Sequence, residues 1–216
     1  MGAVAGALLL LGAVRVTRLL RHRQRATRAQ QGLRALPAAG DLLIADQNLP
    51  EAFALPGRPA RVLITTGLLQ LLSLDERRVV LAHERAHLQH RHHLLTALAQ
   101  VATALNPALR STAAHLDYHL ERWADEDAAA AVASRSVAAR SLARAALARL
   151  DPRDLTPSVL LGFLGAQVPA RVGALIAPAP VTRWPNLWPA LAIPVLTVAA
   201  MADVAAAVHE LVELLL

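Results

Sequence analysis

The stretch LDERRVVLAHERAHLQHRHHLL, Leu74 to Leu95, decides how the chain is read. It opens on a helix start: Ser73 can cap, and Glu76 stands three residues later to complete a capping box. Apolar Val79, Val80, Leu81 and Ala82 lead into His83-Glu84-Arg85-Ala86-His87. Helical residues four apart stack on one face, so both imidazoles can reach one ion. Glu84 projects about 100° away around the axis. There it can stand beside the ion without binding it and take a proton from a polarised water. With nine His and seven Glu in 216 residues, chance produces this spacing in about one such chain in a hundred.

Nothing breaks the helix before Asn106-Pro107. The pattern therefore predicts one rod from Leu74 to about Leu105, roughly 48 Å long. On such a rod His92 and His93 point away from His83, and His90 lies too far along the axis to share its ion. Structural or surface roles follow for His90 and His92.

Two histidines do not complete a catalytic zinc site, which takes three protein ligands plus water. A metzincin-type third ligand would be His93. That arrangement needs Gly where His90 stands, and a downstream Met-turn, whereas the only methionines are Met1 and Met201. The gluzincin arrangement takes a Glu from a separate helix. ERWADEDAA, Glu121 to Ala129, supplies Glu121 and Asp125 on one face. Glu121 is then the third ligand, and Asp125 accepts a hydrogen bond from a ligand His, fixing its ring. Tyr118, His115 and His119 are candidates for steadying a tetrahedral oxyanion. Glu84 is the candidate general base.

Around this centre, Leu42–Ala45 reads as a strand, and Ala52–Leu55 with Arg61–Thr65 as a hairpin about Pro56-Gly57-Arg58-Pro59. Gly32 to Gly40 reads as linker, and Gly67 as the end of a strand. Ser111 is a candidate cap for a helix to about Val132. Another helix runs from about Ser136 to Leu150, and short apolar stretches follow to Pro180. The expected fold is mainly α with a small antiparallel β-sheet, an α+β domain plus terminal transmembrane helices.

The chain is 55% apolar with 3% aromatics, and it has no Cys. That excludes a disulfide framework and any Cys-ligated metal. The net charge of +6 comes from 22 basic residues, all Arg. Seven of them lie between Arg15 and Arg34 with no acid, and the remainder balances at fifteen Arg against sixteen acids. The charge belongs to one segment and does not point to a specific nucleic-acid partner. Gly2 to Leu20 is apolar but for Arg15 and Arg18 near its end, and Trp184 to Val208 is a second apolar run. About 20 residues cross a bilayer. The organisation expected is a transmembrane segment at 1–20, a basic juxtamembrane linker at 21–40, the zinc domain at 41–183, a second span at 184–208 and a tail at 209–216. Basic residues after the first span place the domain on the cytosolic side of a multi-pass membrane protein. His87 and Glu121 must share one side, so the apolar run Leu94 to Leu105 does not cross; it is buried or skims the membrane.

The two metal motifs, with Ala52–Gly67 and Val168–Ile176 (VPARVGALI), resemble the BlaR/MecR-type membrane zinc metallopeptidases, in particular short sensor-less members of the actinobacterial type. A more distant likeness is to the HtpX membrane proteases. The resemblance implies a zincin-like fold, one Zn2+ and cytosolic-side proteolysis. By it His83, His87 and Glu121 are ligands, Glu84 the base and Asp125 their orienting partner. It also suggests that the strand Arg61–Thr65 aligns the substrate. The implied partners are a protein or peptide substrate, a transcriptional repressor among the candidates, and the lipid bilayer. The alternative is a membrane-anchored signalling or binding protein with a structural or inactive zinc site, marked by a fourth protein ligand such as His115 or His119.

Overall fold

The computed structural model describes residues 14–21, 24–25, 32–33, 38–148 and 167–179. All that follows concerns the compact unit Met1–Pro178. Four strands, β1 (Ala38–Ala39), β2 (Leu42–Ala45), β3 (Ala52–Leu55) and β4 (Arg61–Thr65), form one sheet in the order β1-β2-β4-β3. The β3–β4 hairpin pairs Ala52 with Ile64 and Leu55 with Arg61, antiparallel as expected. The pairing of β2 with β4 is parallel, so the sheet is mixed and not antiparallel. The cause lies in residues 46–51, which carry the chain past β4 before β3 begins. Two threonines pin that crossing. Thr65 Oγ1 donates to the Leu49 carbonyl at 2.7 Å and accepts from the Glu51 amide at 2.9 Å. Thr66 Oγ1 accepts from the Gln47 amide at 3.1 Å.

This order has a functional consequence. Strand β4 is central and buried from Val62 to Thr65, so it has no edge to offer a substrate. The sequence-based choice of Arg61–Thr65 is corrected: among the described residues β3 is the sheet edge on that side.

Gly67 does not end a strand. It lies in the first turn of helix α1 (Thr66–Leu71), capped by the Thr65 side chain. A Cβ at this position would fall 2.0 Å from the Asn48 carbonyl oxygen, so only glycine lets the two backbone segments pass. Helix α2 (Leu74–Gln89) starts where the capping box places it. The Ser73 amide donates to Glu76 Oε2 at 2.9 Å, and the Glu76 amide donates to Ser73 Oγ at 3.4 Å.

The single rod expected from Leu74 to Leu105 is two helices. Helix α2 stops at Gln89, and Arg91 takes the left-handed conformation with φ 52° and ψ 39°. Such a conformation is uncommon for a residue with a Cβ. Helix α3 (His92–Leu105) then leaves in a new direction with His92 buried at its first position. A short 3-10 turn, Pro107–Leu109, capped by Asn106, leads into α4 (Arg110–Ala131). Ser111 is therefore inside the chain of helical turns and is not the cap. Helix α5 spans Arg135–Ala148, and α6 (Gln167–Ile176) occupies a stretch expected to hold only short apolar segments.

The helical core is built from small residues. Ala128, Ala129, Ala138 and Ala139 pack with Val79 and Leu175, and Ala86 and Ala124 are also buried. Alanine at a helix contact lets the axes approach closely. That closeness brings the acids of α4 up to the histidines of α2. No helix among the described residues is long and apolar enough to cross a membrane. The expected span 184–208 and residues 1–13 of the span 1–20 lie outside the described residues; residues 14–21 are helical.

Candidate metal centre

Helix periodicity sets each half of the site. His83 and His87 face the same way from α2, with Nε2 atoms 3.1 Å apart. Glu121 on α4 directs Oε2 to 3.5 Å from His83 Nε2 and Oε1 to 3.4 Å from His87 Nε2. These three side chains can together hold a metal ion. Donor atoms around a tetrahedral zinc at 2.0–2.1 Å stand about 3.3 Å apart, so the spacing fits that ion. Two imidazoles and one carboxylate are also a donor set that suits zinc.

Behind the three lies a second layer of contacts. Asp125 Oδ1 is 3.1 Å from His83 Nδ1, so the ring's remaining nitrogen faces the site. Asp125 is itself clamped by Arg171 of α6. The guanidinium donates from Nε to Oδ2 and from Nη2 to Oδ1, each at 2.7 Å. Its Nη1 reaches Glu121 Oε2 at 2.8 Å. One buried cation thus holds the carboxylates of Glu121 and Asp125 at once. Sequence reasoning missed Arg171. It stands 46 residues from Asp125, and no local pattern joins the two.

Burial, left alone, would strip the proton from His83. The Asp125 and Glu121 carboxylates hydrogen-bonded to it outweigh burial and raise it to about 9. Burial, reinforced by the neighbouring His83 charge, lowers His87 to about 4. Burial works to raise Glu121, but the hydrogen bond and charge of His83, with Arg171, take it down to about 2. The metal-free centre at neutral pH therefore holds a protonated His83, a neutral His87 and an ionised Glu121. Metal uptake must expel the His83 proton. Zinc affinity is expected to rise about tenfold per pH unit between pH 6 and 9 and to level off above the His83 value. Titration against a competing chelator across this range checks it; a flat affinity would show that His83 is not protonated or not a ligand.

One cavity of ≈ 970 Å³ takes in His83, Glu84, His87 and Glu121. Glu84 is among the residues that line it. Pro50, Ala52, Phe53 and Ala54 bring the β3 edge to its rim, and Val79, Ala138, Leu142 and Leu175 make part of its wall apolar. The oxyanion candidates fare differently. Neither Tyr118, His115 nor His119 is among the described residues lining the cavity. His115 is exposed and its Nδ1 donates to the Ser111 carbonyl at 2.7 Å. The Tyr118 ring packs against His119. The cavity side of α4 carries Asp117, Leu120, Glu121, Asp125 and Ala128, a face at spacings of three and four that leaves out 115, 118 and 119. The fourth ligand expected of a structural site from His115 or His119 is likewise not at the centre.

His92 and His93 also depart from expectation. The break at Arg91 returns both to the cavity lining. His92 Nδ1 lies 3.0 Å from His87 Nδ1. His90 is tied to Asp127 at 2.6 Å and its ring lies on Trp123, with centroids 4.2 Å apart.

The model of peptidase family M48 matches residues 21–155. Curated relatives include proteins named "Protease HtpX homolog" from Burkholderia mallei (strain SAVP1) and Burkholderia pseudomallei (strain K96243). Each is 41% identical over 93 residues, which is 42% of this chain and 30% of the relative. The chain thus spans less than a third of the length of these relatives. The matches carry the HtpX side of the resemblance read from the sequence and do not reach its BlaR/MecR side.

Proposed function

The chain belongs to peptidase family M48, and from that membership we propose that it is a zinc-dependent endopeptidase working at His83, His87 and Glu121. The observation that carries this reading is the convergence of those three donors in one cavity with Glu84 beside them. A bound zinc ion would supply Lewis acidity for the scissile carbonyl and make water a nucleophile at neutral pH. Glu84 takes the proton from the attacking water and passes it to the leaving amine. Asp125 holds the His83 ring, and Arg171 keeps Asp125 and Glu121 ionised side by side. An extended polypeptide lies along Ala52–Ala54 of β3, held by main-chain hydrogen bonds, with a side chain directed to the apolar wall.

The sequence pattern supports a domain anchored at the membrane by 1–20 and 184–208, with its basic segment on the cytosolic side. In that setting the substrate is a cytosolic or membrane protein, and the resemblance to BlaR/MecR-type proteins adds a transcriptional repressor as a candidate. The full chain, stripped of metal by a chelator, is expected to leave an unfolded protein substrate intact. Returning about one equivalent of zinc restores cleavage, read as new N-termini by mass spectrometry. Cleavage that persists unchanged in the chelator would end the proposal.

A further inference from the structure

The two histidine ligands are held by different chemistry. Behind His83 stands a carboxylate; behind His87 stands another imidazole. His87 turns Nε2 toward His83 and Glu121 and Nδ1 toward His92 Nδ1, 3.0 Å away. Two ring nitrogens at this distance need one donor and one acceptor. When Nε2 of His87 offers its lone pair to a metal, Nδ1 carries the proton and donates. His92 must then accept at Nδ1 and keep its own proton on Nε2.

The surroundings of His92 agree with a neutral ring locked in that state. Its Nε2 is buried and has no hydrogen-bond partner among the described residues. The residue is 2% exposed. The ring stacks on His90, with centroids 5.6 Å apart, and leans on Trp123 at 5.3 Å. It is fixed at the first position of α3 by the left-handed Arg91. An uncommon backbone conformation and an unpartnered buried N–H are both costs. The first falls at Arg91 and the second at His92, adjacent residues that together set the imidazole against His87 Nδ1.

We propose that His92 is the positioning residue for His87, accepting its Nδ1 hydrogen and so presenting Nε2 to the metal. The inference rests on the metal centre proposed above. It also accounts for the interruption between α2 and α3: a continuous helix would carry His92 away from the site.

The test is zinc affinity of the full chain, measured against a competing chelator. Three variants separate hydrogen bonding from packing. His92→Phe keeps a ring beside Trp123 and removes the acceptor. His92→Gln moves the amide to where Nε2 stands. His92→Asn leaves a carbonyl oxygen near the place of Nδ1. Loss of a ligand-orienting partner typically weakens a metal site about 10- to 100-fold, and that loss is expected for the Phe and Gln variants, with Asn near the parent. The cobalt-loaded proteins are expected to follow the same grouping in the visible spectrum. A merely structural role predicts the reverse order, because Phe fills the space and Asn leaves a void. Parent-like affinity in the Phe variant overturns the proposal, as does an Asn variant as weak as Phe. Absence of zinc binding in the parent would instead overturn the metal centre itself.

Discussion

Glu84→Gln is expected to keep its zinc and lose its activity. The substitution preserves the size of a side chain that lines the cavity beside His83 and His87 but cannot accept a proton. General acid–base groups contribute about 10²- to 10⁴-fold, and here one group serves both the attacking water and the leaving amine. The upper part of that range is therefore expected. Metal content and zinc affinity should match the parent, because Glu84 is not among the three donors. The pair of measurements separates this outcome from simple misfolding. Full cleavage by a zinc-loaded Glu84→Gln protein would remove the residue from the mechanism and with it the proposed chemistry.

Arg171→Met carries the second large effect, and it falls on stability first. The guanidinium is bonded to both Asp125 oxygens and to Glu121. Removing it leaves the buried Asp125 with only His83 as a cationic partner and next to a second carboxylate. Breaking one side of a buried pair costs about 3–5 kcal/mol. Urea unfolding of the metal-free protein should show a loss of that order, and Asp125→Asn in the same background should recover part of it. The pH dependence has a definite sign. Burial opposes ionisation of Asp125, but its hydrogen bonds to Arg171 and His83 hold the carboxyl below its ordinary value. The parent's advantage is therefore fully present above about pH 4, the unfolded carboxylate range, and shrinks as the pH falls. A difference below about 1 kcal/mol at neutral pH would place Arg171 among ordinary surface pairs.

What the sequence reveals of this centre is what a helix imposes. His83 with His87, and Glu121 with Asp125, are neighbours because four residues make about one turn. The capping box fixes the start of α2 in the same local way. What stays hidden depends on contacts between distant segments. Arg91 is not glycine or asparagine, so nothing announces a left-handed residue between two helices, and His92 is consequently assigned to the wrong side. The parallel pairing of β2 with β4 follows from how residues 46–51 cross, which strand alternation does not encode. Tyr118 is a reasonable candidate by its distance along the chain from Glu121. One residue earlier, Asp117 has the spacing of four that reaches the cavity. Arg171 was legible only as part of a stretch of resemblance, not as a partner of Asp125.

The reach of Arg171 across the sequence also sets an order of events during synthesis. Every proposed donor and the proposed general base are translated before it. Until α6 docks, Asp125 and Glu121 have His83 beside them but lack the guanidinium that clamps both, although the alanine packing of α2 against α4 does not depend on it. A growing chain thus contains every residue of the proposed centre before its carboxylates are clamped. The enzyme proposed here gains the clamp on its two carboxylates last, when its last described helix arrives.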